Sequence, residues 1–286
     1  MSQSPRVERL GLAFNPTSAG SVTLRDRTLE WCARNGVEAW ASPAAARDEL
    51  DEGLAGSQAL FVLGGDGTFL RAFQAVAAAG TDVPILGVNV GRVGFLSQVD
   101  PEALEATLEG LRDGTYDLEE RLVVEARIQR DGAAAGEPLV ALNEAAVVRG
   151  GQPRVVRLDV AIGGSHLATY IADGLLVATP TGSTAYSFSA GGPILDPSSR
   201  NLVVTSVAAY LAAIRSVVVG PRQTVTIRVL EGRGVLLSID GHVDVPLGIG
   251  DVVEVAARDR PVGFVVPAGT LPFWDLLRHK AELLPT

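Results

Sequence analysis

Five consecutive apolar residues, Ala59–Leu63, run straight into Gly64-Gly65-Asp66-Gly67-Thr68, and a helical spacing of apolar residues follows at once and stops at Gly80. A short run with no polar face belongs to a strand covered on both sides. A glycine turn that feeds such a strand into a helix is how parallel strands are joined. The same rhythm fills residues 1–115. Residues 10–14 and 83–88 are apolar runs, 37–40 is a further strand, and 22–35 and 44–54 have helical spacing. Residues 101–112 form an amphipathic helix with Asp100 as its cap and Pro101 at its first position. This alternation predicts an α/β N-terminal domain, residues 1–115, built on a parallel sheet.

The texture changes at residue 116. Segments 122–129, 139–148, 155–162 and 167–171 are β-rich, as are 202–207, 217–219, 224–229, 235–239 and 252–256. Turns such as Asp131-Gly132 separate them. They predict an all-β C-terminal domain over residues 116–268. Residues 271–284 look helical again, and a final unit, 269–286, is expected to pack its helix back on the first domain.

Composition narrows the chemistry. Of 24 Lys+Arg, a single residue, Lys280, is lysine. A G-x-x-x-x-G-K-[S/T] phosphate loop, a protein-kinase lysine, a Schiff base and a Ser-Lys pair all need a lysine elsewhere in the chain. Cys32 stands alone, so neither an intrachain disulfide nor a cysteine-rich zinc site is available, and His166, His242 and His279 form no H-E-x-x-H run. A net charge of −9 and a pI near 4.9 argue against a nucleic-acid or membrane partner. The N-terminal residues have no apolar signal core, and the longest uncharged stretch, 174–195, is broken by Gly, Pro, Ser and Thr. A cytoplasmic protein is the expectation. Demanding chemistry falls to carboxylates, arginines and backbone amides.

Three segments can carry it. The turn 64–68 presents amides at a helix N-terminus beside the carboxyl edge of a parallel sheet, where anionic ligands bind. Asp66 would repel a phosphate, so its presence points to a metal ligand or to a base for a hydroxyl, with a plain helix cap as the bland alternative. Gly87, Gly91 and Gly94 follow G-x-x-x-G-x-x-G, not the dinucleotide fingerprint G-x-G-x-x-G; such a set is more often an ordinary loop, and Asn89 beside it is what offers the alternative of a ligand-facing one. Residues 173–193 lead from a short strand into a dense run of hydroxyls and glycines that also holds Tyr186, Phe188 and two prolines. Such groups recognise ribose, amide and phosphate oxygens, and the aromatic residues and prolines favour a binding loop over the alternative, a flexible Gly/Ser/Thr linker. Asn143-Glu144 interrupts an apolar strand, which indicates an edge or a ligand site. Ser238-Ile239-Asp240-Gly241-His242 reads as a hairpin corner, and Arg71, Arg154, Arg157 and Arg215 are candidate phosphate contacts.

In order and spacing, these pieces span most of the chain: 64–68, 87–96, Asn143-Glu144, 173–193, Asp240-Gly241 and 276–280. They resemble the NAD kinase family, ATP- or polyphosphate-dependent. The resemblance implies transfer of a phosphoryl group from ATP, or another donor, to the 2′-hydroxyl of the adenosine ribose of NAD. It makes Asp66 the catalytic base and places Gly64, Gly65, Gly67 and Thr68 at the phosphate donor. It extends the NAD site over Asp66, Gly67, Arg71, Asn143, Glu144, Arg154, Asp173, Thr181, Thr184, Ala185, Tyr186, Ser187, Phe188, Ser189 and His242, with Ala208 offered by a neighbouring subunit. It also implies a divalent metal, magnesium, and a homodimer or homotetramer. Two rival readings remain: a lipid or sugar kinase sharing only the 64–68 turn, and a non-catalytic dinucleotide-binding protein.

Overall fold

The computed structural model describes residues 4–90, 94–151 and 154–282, with side chains to residue 280. The chain forms two compact units, residues 1–120 with 262–286, and residues 121–261. No helix among the described residues is long and apolar enough to cross a membrane.

The first unit opens β1 (Arg9–Phe14), α1 (Ala19–Asn35), β2 (Glu38–Pro43), α2 (Arg47–Leu54), β3 (Ala59–Leu63) and α3 (Asp66–Ala79). It continues through β4 (Ile85–Val88), β5 (Ser97–Val99), a single 3-10 turn at Pro101–Ala103, α4 (Leu104–Asp113) and β6 (Tyr116–Arg121). The strand β20 (Val262–Pro267) and the helix α6 (Phe273–Glu282) return to this unit from the far end of the chain. The sheet order is β2-β1-β3-β4-β20-β6, with β5 against β4, and the β1–β2, β1–β3, β3–β4, β4–β5 and β4–β20 pairs are parallel. This is the α/β domain with a parallel sheet that the sequence predicts. Ala59, Phe61 and Leu63 point into one core with Leu24 and Trp31 of α1 and Leu104 and Leu108 of α4. Period-two alternation then turns Leu60 and Val62, both fully buried, to the opposite face.

The second unit contains β7 (Val124–Arg130), β8 (Ala133–Ala134), β9 (Leu139–Ala141), β10 (Glu144–Arg149), β11 (Val156–Ile162), β12 (Ser165–Ala172) and β13 (Gly174–Ala178). After a 3-10 turn at Thr181–Thr184 come α5 (Tyr186–Ser189), β14 (Leu202–Val207), β15 (Ser216–Val219), β16 (Val225–Glu231), β17 (Val235–Ile239), β18 (Val243–Leu247) and β19 (Val252–Ala257). One sheet runs β15-β14-β13-β10-β17-β18 and the other β12-β11-β16-β19-β7-β8, with β9 against β7, and these strands pair antiparallel. Alternate residues of both sheets, among them Val147, Leu175 and Leu237 from one and Val124, Leu158 and Val253 from the other, share one core. The unit is therefore all-β.

Candidate active site

In the first unit the turn after β3 is tight. The Gly64 N–H donates to Val88 O at 3.1 Å, and a Cβ on Gly64 would meet the Thr68 hydroxyl at 2.6 Å. Gly65 takes the cap position of α3, so Asp66 is the first helical residue and its side chain does not cap. That carboxylate is spent on another loop: Oδ2 accepts from Phe95 N at 2.9 Å, and Oδ1 from Leu96 N at 3.1 Å and Ser97 N at 3.2 Å. Gly65 and Gly67 are exposed beside it, Thr68 is buried, and Arg71 lies exposed one turn further along α3. Thr68 N already donates to Gly65 O at 2.9 Å, so the seat for phosphate that a helix N-terminus offers falls to the first amides of α3, those of Asp66 and Gly67. Gly91 lies outside the described residues.

Gly94 explains how the loop reaches Asp66. A Cβ there would lie 1.9 Å from Asp66 Oδ1, a distance no side chain can occupy. Gly94→Ala is therefore expected to push the carboxylate off its amides and to lower any turnover that depends on it by about 10²-fold, the scale set by misplacing a reacting group by an ångström. Steady-state rates together with hydrogen exchange at Leu96 and Ser97 test this. Parent-like rates would show that the carboxylate needs no such seat.

In the second unit the expected single strand 139–148 is two strands in different sheets, β9 and β10. The break has an owner. Asp240, at the corner between β17 and β18, accepts from Leu142 N at 2.9 Å on one oxygen and from Asn143 N at 2.7 Å and Glu144 N at 3.1 Å on the other. Asp240 takes this post at a positive φ of 50°. The Thr179 hydroxyl donates to Leu142 O, Thr179 N donates to Asn143 O at 2.8 Å, and Gly182 N donates back to the Thr179 hydroxyl at 3.0 Å. Gly182 presses so close that a Cβ would sit 2.0 Å from Asn143 O. The hydroxyl-rich segment is thus a structured pair of short helical turns pinned to Asn143, not a linker.

A pocket of about 470 Å³ opens on the face of β10 away from the core. It is lined by Glu144, Arg149, Asp173, Tyr186, Ser238 and Gly241, with Ala146 and Val148 as its apolar floor. Of the residues expected from the sequence, it gathers Glu144, Asp173 and Tyr186. Asn143, which immediately precedes Glu144, and Thr181, which opens the 3-10 turn, are buried, and Thr184, Ala185, Ser187, Phe188 and Ser189 belong to the turns that carry Tyr186. Ser187 is held by Thr205 at 3.3 Å, while Phe188 and Ser189 are exposed. Arg154, Ala208 and His242 are exposed and do not line this pocket. Arg149, which the sequence did not single out, does: its Nε lies 2.7 Å from Asp173 Oδ1.

Two buried polar atoms here lack a hydrogen-bond partner, Glu144 Oε2 and Thr181 Oγ1. A buried orphan acceptor costs free energy unless a ligand satisfies it. Burial, helped by the Asp240 charge, pushes the Glu144 carboxyl up to about 8. Burial, with Asp173 and Glu144, also raises the Tyr186 phenol. Because the folded chain holds the Glu144 proton more tightly than the unfolded chain, this group favours folding at low pH, and that advantage drains away as pH climbs from the usual carboxylate range to about 8. Glu144→Gln is therefore expected to flatten the fall in stability over this range and to melt a few degrees above the parent at pH 8 and beyond. Parallel melting curves across the range would show that Glu144 ionises normally.

The family model described as ATP-NAD kinase N-terminal domain matches residues 46–116, and that of the ATP-NAD kinase C-terminal domain matches residues 142–266. The chain is 41% identical over 283 residues to the NAD kinase of Symbiobacterium thermophilum, covering 96% of this chain and 99% of that one. It is 37% identical over 318 residues to NAD kinase 1 of Streptomyces coelicolor, covering 97% and 86%. Two solved structures share the fold. Yeast NADH kinase complexed with NADH has a TM-score of 0.80 at 24% identity, over 98% of this chain and 88% of that one. The Archaeoglobus fulgidus NAD kinase in complex with ATP has a TM-score of 0.77 at 23% identity, over 97% and 100%.

Proposed function

The chain belongs to the NAD kinase family, and on that premise we propose that it is an NAD kinase whose Asp66 takes the proton of the acceptor hydroxyl. The 2′-hydroxyl of the adenosine ribose of NAD gives its proton to the Asp66 carboxylate as its oxygen attacks the γ-phosphorus of ATP. The bond from that phosphorus to the bridging oxygen breaks, ADP leaves, and NADP forms. The observation that carries this is the carboxylate of Asp66, held by three backbone amides at the head of α3 beside exposed Gly65 and Gly67. Carboxylate and free amides supply the two things phosphoryl transfer to an alcohol requires, a base and a seat for phosphate charge, with no lysine.

Gly64, Gly65, Gly67 and Thr68 would serve the donor phosphates. Glu144 and Asn143 would hold ribose hydroxyls, the orphan Oε2 being the atom in want of a partner. Asp173 would take the nicotinamide-side amide, and the turns from Thr181 to Ser189 would line the adenine and ribose pocket. Among the described residues no group of three His, Cys, Asp or Glu could hold a metal. Magnesium would arrive with the donor and supply positive charge beside its phosphates. It would screen the phosphate charge.

An oligomer is supported by the loop after β14. Tyr210 is 70% and Leu211 85% exposed, and both Ala208 and Leu211 hold positive φ. Apolar side chains on a strained surface loop suit contact with a second copy.

Incubation of the protein with NAD and MgATP, read by an NADP-specific dehydrogenase, tests the function. The reading requires catalytic accumulation of NADP. Binding of NAD without product would favour a dinucleotide sensor, and ATP consumption only with a lipid or sugar present would favour the kinases that share the 64–68 turn.

A further inference from the structure

The only lysine of the chain lies against Phe95, one of the three residues whose amides hold the Asp66 carboxylate. Lys280 Nζ is 4.4 Å from the centre of the Phe95 ring, and the Phe273 ring lies 6.5 Å from it, tilted by 44°. Phe273, Leu276 and Lys280 fall at i, i+3 and i+7 of α6, on one face of the helix, with Leu276 buried between them. The N–H of Phe95 is the donor to Asp66 Oδ2.

The three amides on Asp66 are not held alike. Ser97 belongs to β5 and is paired with Gly87 of β4, and Leu96 immediately precedes it. Phe95 lies outside the strand. Its carbonyl accepts from the Gln98 side chain at 2.9 Å, and its ring is the remaining handle. We propose that Lys280 and Phe273 are positioning residues for the phosphoryl transfer: they hold the Phe95 ring and thereby aim the Phe95 N–H at Asp66. The inference rests on the reading of Asp66 as the base.

A cation over an aromatic ring at a partly exposed site is a modest force, so the effect is modest. Lys280→Met, which keeps the length and removes the charge, should lower kcat by about 3- to 10-fold with little change in KM for NAD or ATP. Lys280→Arg, which restores a cation for the ring, should recover most of the rate. Phe95→Leu should also lower kcat, and Lys280→Met should add nothing to it if Lys280 acts through that ring. Parent-like kcat in Lys280→Met would overturn the inference. So would equal losses in the Met and Arg variants, full additivity with Phe95→Leu, or a loss that tracks the unfolded fraction by circular dichroism. Asp66→Asn is assayed alongside. If it keeps its turnover, the base reading falls and the positioning inference with it. If it is inactive while Lys280→Met is normal, the positioning inference alone fails.

Discussion

Asp66→Asn should cut the turnover of NAD by about 10²- to 10⁴-fold, the range that a positioned base contributes. The amide side chain is nearly isosteric, and its oxygen can still accept from Leu96 and Ser97. Its NH2 would face the Phe95 N–H where Oδ2 now accepts at 2.9 Å, donor against donor. One lost hydrogen bond costs roughly 1–2 kcal/mol and a few degrees of melting temperature, far too little to account for the loss of rate. The measurement is kcat and KM for NAD and ATP beside a melting curve. A rise in KM at unchanged kcat would make Asp66 a binding group, and turnover near that of the parent would remove it from the mechanism.

The second large effect is expected at Asp240. Asp240→Ala leaves the N–H groups of Leu142, Asn143 and Glu144 buried without acceptors and places alanine at a φ of 50°. Even discounted for relaxation and entering water, three unpaired donors and a left-handed alanine should cost about 3 kcal/mol or more. The chain break that presents Asn143 and Glu144 would loosen with them, so NAD affinity should fall together with stability. Urea denaturation and calorimetric titration with NAD test the pair of effects. A loss of stability below about 1 kcal/mol would show that these amides find other partners.

How far the sequence reached follows from what periodicity can encode. Ala59–Leu63, Leu202–Val207 and Val235–Ile239 stand in the structure with the bounds read from their apolar patterns, because each pattern reports local burial. The segment 139–148 misled, since its apolar residues continue across a break that is held by Asp240 from far along the chain. Strand β20 is invisible as a member of the first sheet for a similar reason: its neighbour β4 lies far back along the chain, Phe264 pairing with Ile85. The turns of residues 181–189 are too short to show a helical period.

At the site, carboxylates and aromatics were legible as residue types, and Glu144, Asp173 and Tyr186 do surround one pocket. What holds Asp66 was not, because the amides of Phe95, Leu96 and Ser97 are backbone groups that every residue but proline carries. Arg149, one basic residue at the end of an apolar strand, looks like a solvated charge until Asp173 is seen 2.7 Å away.

The scarcity of lysine, which first removed the familiar phosphate-binding machineries, fits a site that meets phosphate with amides and an alcohol with a carboxylate. The most direct test is to follow the transferred group. The protein is given NAD and ATP labelled at the γ-phosphate, and the dinucleotide product is cleaved and its phosphate located by NMR. The label is expected on the 2′ oxygen of the adenosine ribose, with one ADP formed for each NADP. Label at the 3′ position, on the nicotinamide ribose, or absent from the dinucleotide while ATP is consumed would contradict it.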